Sequence, residues 1–188
     1  MLAREEEKSL RNTPMHLAVL WNKIDVLRVL LEHDRSLGYV VTSDKGSPLL
    51  NCAAYGGHAG VVRELLKHCP DAPYCNTSGW TCLHEAVSNV HMDFAEFVVY
   101  SPQLRKLINM QASNGDTALH LAVEKCNPKM VTTLLLHQDI DVTVLNNINQ
   151  AATWKLSGAY TNAKTLNWVR IFLSTLLVYT TQTSTKKK

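Results

Sequence analysis

An all-α solenoid, built of helix-turn-helix units joined by β-turn fingers, is the fold this sequence predicts, on three observations. The stretch Asn114 to Ala122 (Asn-Gly-Asp-Thr-Ala-Leu-His-Leu-Ala) has near copies at Arg11 to Ala18, Gly46 to Ala54 and Gly79 to Ala86. One slot of the stretch holds Thr13, Thr81 and Thr117, and Pro48 falls in it when the second copy is aligned on Ala53 and Ala54, giving steps of 35, 33 and 36 residues. Behind each copy, apolar residues recur at helical spacing. Self-similarity at such a period marks units that each bury an apolar face only against their neighbours.

Residues 1–10 form a polar lead-in, and four repeats cover about 11–44, 45–77, 78–113 and 114–146. In the first, Thr13 is placed to cap a short helix with Pro14 at its first position. That helix runs to about Trp21, and a second from about Ile24 to His33 carries Val26, Leu27, Leu30 and Leu31 as one apolar stripe. The finger from His33 to Gly46 takes its backbone freedom from Gly46.

The second repeat breaks its helices at Gly57-His58 and repeats the stripe at Val61, Val62, Leu65 and Leu66. Its Ser47-Pro48 resembles a Thr-Pro pair, yet Ala53-Ala54 and Gly57-His58 then come one residue late. An extra residue near the helix start is therefore expected. In the third repeat Val90-His91 replaces Gly-His, and Phe94, Ala95, Val98 and Val99 carry the outer helix. The fourth places Pro128 at the start of an outer helix with Met130, Val131, Leu134 and Leu135.

A degenerate fifth unit over 147–179 is expected to cap the stack. It takes Ala152 as the threonine slot, Trp154 as the leucine slot and Lys155 as the histidine slot, with Leu166, Val169, Phe172, Leu173 and Leu176 along its outer helix. Residues 180–188 read as a disordered basic tail.

The Thr-Pro-Leu-His-x-Ala core at this period resembles the ankyrin repeat over roughly residues 11–173. A narrower resemblance is to plant ankyrin-repeat proteins of the accelerated-cell-death type. It rests on Leu37-Gly-Tyr39, Gly46-Ser-Pro-Leu49, Gly79-Trp-Thr-Cys-Leu-His84 and Ala163-Lys-Thr-Leu-Asn-Trp168. That resemblance implies a scaffold or adaptor in plant defence or cell-death signalling, joined in its relatives to a block of transmembrane helices. No such block comes after Trp168 here. The alternative is a shortened form of a membrane-linked ankyrin signalling protein, reaching the inner face of a membrane only through a partner or a missing segment.

Composition narrows the function classes. At 46% hydrophobic and 19% charged the chain can build a core of ordinary size. The net charge of +3 is accounted for by Lys186, Lys187 and Lys188, so the folded part presents no broad field for nucleic acid. Five cysteines without paired spacing and a charged run (Arg4 to Lys8) directly behind Met1 read as a cytoplasmic protein with reduced thiols. Ile171 to Tyr179 is apolar, but nine residues fall short of the roughly 20 a membrane crossing needs.

No catalytic, cofactor, metal or small-molecule site emerges. His16, His84 and His120 share one slot, but stacked repeats hold equivalent residues about one helix diameter apart, roughly 10 Å, whereas zinc needs ligands at about 2.0–2.3 Å. They are expected to hydrogen-bond across the fingers instead. Cys69, Cys75, Cys82 and His84 lack a Cys-x-x-Cys pair. Cys82 with His84, and Ser88 with Glu85, sit inside short helices with no glycine elbow or phosphate loop. The remaining class is a surface that binds another protein.

The ankyrin resemblance implies a concave face lined by fingers and first helices. Its outward slots here hold Trp21, Tyr55, Ser88, Asn89 and Lys125, and the finger slots before the threonine position hold Trp80 and Asp116. Large aromatics anchor interfaces more often than other side chains. These seven residues are the candidate protein-binding set.

Overall fold

The computed structural model describes residues 13–152. Its elements are helices in pairs: α1 (Pro14–Leu20) with α2 (Ile24–His33), α3 (Leu49–Tyr55) with α4 (Ala59–His68), α5 (Cys82–Ser88) with α6 (Met92–Tyr100), and α7 (Ala118–Glu124) with α8 (Pro128–Leu135). A short first helix, a tight turn and a second helix is the unit. Among the described residues β-structure is limited to isolated bridges, at Val41–Pro48, Cys75–Thr81 and Leu145–Ala151, each pinching the base of a finger. The lead-in, the outer stripe of the fifth unit, the Ile171 to Tyr179 segment and the tail lie outside the described residues.

The described residues up to Val98 form one compact unit, and those from Val99 a second. In the first, α1 packs on α3 and α3 on α5, while α2 packs on α4 behind them. Met15, Leu50, Leu83 and Phe94 are among its fully buried side chains. Thr13 and Thr81 cap α1 and α5 through reciprocal bonds: each hydroxyl receives the backbone N–H of the histidine three residues on, and each histidine Nδ1 receives the threonine N–H at 3.2 Å. Pro14 stands at the first turn of α1.

Two expectations for this unit are corrected. The second repeat contains no extra residue at its helix start: Pro48 itself is the N-cap of α3, in the threonine position, and α3 is as long as α1 and α5. The Ser47-Pro48 pair misleads because Ser47 occupies the finger slot that Trp80 fills in the next repeat. In α2, Leu27 and Leu31 are buried but Val26 is 50% exposed. Its counterpart Val61 in α4 is fully buried.

The turn between paired helices needs one residue with positive φ, and Asn22 (55°), Gly57 (73°), Val90 (62°) and Cys126 (50°) supply it in successive repeats. Finger tips make the same demand, met by Gly46, Gly79, Gly115 and Asn149. Gly115 has a second reason to be glycine, since a Cβ there would lie 2.5 Å from the backbone nitrogen of Asn147 on the next finger.

In the second unit α7 packs on α8 and on a 3-10 turn at Arg105–Asn109. Asn127 caps α8 by accepting the Met130 N–H at 3.1 Å, with Pro128 in the first turn, and Met130, Val131, Leu134 and Leu135 are buried. The fifth-unit register is corrected by one residue. Ala151, not Ala152, pairs with Leu145 as Thr81 pairs with Cys75, and Asn146 N–H donates to the Gln150 carbonyl as Asn76 N–H donates to that of Trp80. Trp154 and Lys155 lie beyond the described residues.

Candidate functional site

A groove of about 640 Å³ runs in the first unit between the fingers and the short helices α3 and α5. Leu20 and Tyr55, the last residues of α1 and α3, contribute apolar surface, and Trp80 stands on the finger side. Tyr55 is 61% exposed. Trp80 is half-buried, one part of its indole tilted against the His84 ring at 5.3 Å. Its backbone is fixed on both sides: Asn76 Oδ1 accepts its N–H at 3.0 Å, and its carbonyl accepts Asn51 Nδ2 at 2.8 Å.

Hydrogen bonds between repeats hold the walls. His58 Nε2 lies 3.0 Å from the carbonyl of Leu20, and His91 Nε2 lies 2.9 Å from that of Tyr55. In the second and third repeats the histidine after the turn thus secures the C-terminal end of the first helix one repeat earlier. Between fingers, the Lys45 carbonyl accepts both the N–H and the hydroxyl of Thr77. His120 reaches across from the expected slot, its Nε2 3.0 Å from the Gln150 carbonyl. His58 and His91, which also bridge repeats, come from the turn slot, where the repeat pattern alone marks only a break between helices.

The seven candidate residues part company. Tyr55 and Trp80 line the groove. Trp21, at the C-cap of α1, is 68% exposed but is not part of the groove lining. Ser88 and Asn89 are half-buried at the end of α5, where Asn89 Nδ2 donates to the carbonyl and the carboxylate of Glu85. Lys125, in the second unit, is the exposed C-cap of α7.

Asp116 does not belong to an exposed set. It is 5% exposed, and its carboxylate accepts from Asn114 Nδ2 and from Asn146 Nδ2, both at 2.8 Å. It joins two fingers of the second unit.

The groove also contains residues outside the candidate set: Asn51, Cys52, Asp44, Lys45 and Glu85. Of these Asn51 is legible in the sequence, since it stands where the other repeats put histidine. The thiols of Cys52 and Cys82 are pushed up to about 12 by burial, which leaves them as packing groups rather than nucleophiles. Among the described residues there is no cluster of three or more His, Cys, Asp or Glu arranged to hold a metal, and no helix long and apolar enough to cross a membrane.

Likeness to known proteins runs along the same repeats. Residues 10–37 and 114–147 each match the family model of the ankyrin repeat, and residues 36–106 match the model for ankyrin repeats in three copies. The human transient receptor potential cation channel subfamily A member 1 is 28% identical over 72% of this chain, and the Gallus gallus nuclear factor NF-kappa-B p105 subunit is 32% identical over 71%. The chain spans 13% of the length of each. The crystal structure of the ankyrin repeat domain of Bcl-3, a member of the IkappaB protein family, superposes with a TM-score of 0.70 at 24% identity, covering 89% of this chain and 71% of that one. With repeat matches from residue 10 to residue 147, paired helices and β-turn fingers, this chain belongs to the ankyrin-repeat family.

Proposed function

We propose that the chain is a protein-docking scaffold whose groove over α3 and α5 receives a segment of a partner protein. Repeats of this family generally mediate protein–protein interaction. The observation that carries the reading is the pair Tyr55, exposed, and Trp80, half-buried, two large aromatics lining one groove. Trp21, Ser88, Asn89 and Lys125 remain candidates for further contacts outside it. The scaffold is not a catalyst, and it acts in defence or cell-death signalling. The Leu37-Gly-Tyr39 and Gly79 to His84 motifs support that finer assignment through their resemblance to plant proteins of the accelerated-cell-death type.

A partner recovered by affinity capture with the wild-type chain supplies the test. Tyr55→Ala and Trp80→Ala are each expected to weaken its binding by about 2 kcal/mol, roughly 30-fold, with little change in melting temperature. Unchanged affinity in both variants would sink the groove as the docking site. The second reading, a shortened form of a membrane-linked protein, draws on the same resemblance and on the similarity to a cation channel subunit. Recovery of the chain in a carbonate-washed membrane pellet would favour it.

A further inference from the structure

The groove has a charge pattern of its own. Asp44 on one finger and Glu85 on α5 both line it, against one cation, Lys45. The groove is thus acidic in a chain whose net charge is +3. Both carboxylates bear on the floor: after burial, the negative charges of Glu85 and Asp44 are the next causes that push the Cys52 thiol up. Lys45 has an exposed side chain, and the part of the residue held in place is its carbonyl, which Thr77 bonds.

The floor also carries an acceptor without a donor. Asn51 is 3% exposed; its Nδ2 is committed to the Trp80 carbonyl, and its Oδ1 receives no hydrogen bond from the protein. Buried polar atoms are satisfied in the great majority of cases, so this one, closed to solvent beside the groove, is an exception in an otherwise bonded floor. Two carboxylates and two aromatic rings thus share the groove with the hydroxyls of Thr42, Ser47 and Ser78, the Asn76 amide and the Lys45 ammonium, and the carboxylates outnumber the cation.

Resting on the docking reading above, we infer that the groove binds an extended peptide segment through an arginine side chain. A guanidinium supplies five donors in a planar fork, pairs with carboxylates and stacks on aromatic faces. It matches the excess negative charge of Asp44 and Glu85 and the two rings, whereas an acidic side chain would meet the carboxylates with like charge and a purely apolar one would leave that charge unbalanced.

Panning a random heptapeptide phage library on the full chain provides the test. Peptides whose capture is lost with Trp80→Ala are sequenced, and the strongest is resynthesised. Enrichment of arginine at one position is expected, with affinity falling at least 10-fold when that arginine becomes citrulline, and at least 10-fold in the Asp44→Asn/Glu85→Gln protein at an unchanged melting temperature. Salt should weaken the wild-type complex more than the doubly neutralised one. Groove-dependent peptides lacking arginine, or indifferent to citrulline, would overturn the inference while leaving the docking site standing. A library yielding no peptide that depends on Trp80 or Tyr55 would remove both.

Discussion

The second and third repeats share one backbone, and each breaks one of its rules. The second keeps glycine in the turn between its helices but has lost the threonine-histidine cap, replaced by Pro48 and Asn51. The third keeps the cap and has lost the glycine, holding Val90 at φ 62°. Pro48 has no side-chain acceptor to offer the first turn of α3, and no side-chain hydrogen bond caps that helix. Val90 adopts a left-handed conformation that costs a residue with a Cβ about 1–2 kcal/mol. Both α3 and α5 nevertheless form in full, at seven residues each. Packing between neighbouring repeats therefore outweighs the loss of any one local signal.

If packing dominates, truncating the core should outweigh every change to caps and turns. Leu83→Ala and Leu50→Ala, both fully buried, are each expected to cost roughly 2–5 kcal/mol in urea unfolding. Costs below about 1 kcal/mol would mean that the local signals hold the repeats together after all.

The turns come next. Gly57→Val places a Cβ 2.7 Å from His91 Nδ1 at φ 73°, so His91 must leave the Tyr55 carbonyl. A cost of about 2 kcal/mol or more is expected. The reverse exchange, Val90→Gly, should stabilise by about 1 kcal/mol, because the relieved strain exceeds the entropy of the added glycine. Thermal melts of the two single variants check the opposed signs; a destabilised Val90→Gly would show that the half-exposed valine contributes contacts that matter more than its backbone.

Restoring the cap should be nearly neutral. Pro48→Thr with Asn51→His recreates the reciprocal bonds, and a histidine at 51 would reach the Trp80 carbonyl as His120 reaches that of Gln150. The gain of about 1 kcal/mol for a cap is largely offset by the unfolded-chain freedom that proline had removed. A net change below about 1 kcal/mol is expected, and a large gain would mark the second repeat as strained.

The smallest effect concerns the back of the second repeat. Glu64 accepts from Arg28 Nε at 2.8 Å and Lys67 Nζ at 2.9 Å, and these bonds hold its carboxyl down to about 2 from an ordinary 4.5. Because the folded value lies below the unfolded one, this stabilisation is complete above about pH 4.5 and is lost as pH falls towards about 2. Both cationic partners reach into water, which keeps the contribution modest. Glu64→Gln should flatten the fall in melting temperature across that window; an unchanged slope would place the acid sensitivity elsewhere.

By itself the sequence determined the repeat period and the local features tied to it. The spacing of Ile24 to His33 set the bounds of α2, Pro14 and Pro128 marked helix starts, and the apolar stripes of α4, α6 and α8 are buried as their spacing requires. These are properties of a few consecutive residues. Tertiary structure decided the rest. Asp116 is buried by Asn146, thirty residues later. Glu85 and Asp44 meet at one groove from a helix and a finger far apart in the chain. Val26 and Val61 hold the same helical slot with opposite exposure. The physical reason is the same in each case: the repeat fixes which direction a side chain takes, but its solvent, hydrogen-bond donors and charges come from neighbouring repeats, whose residues at those slots need not match.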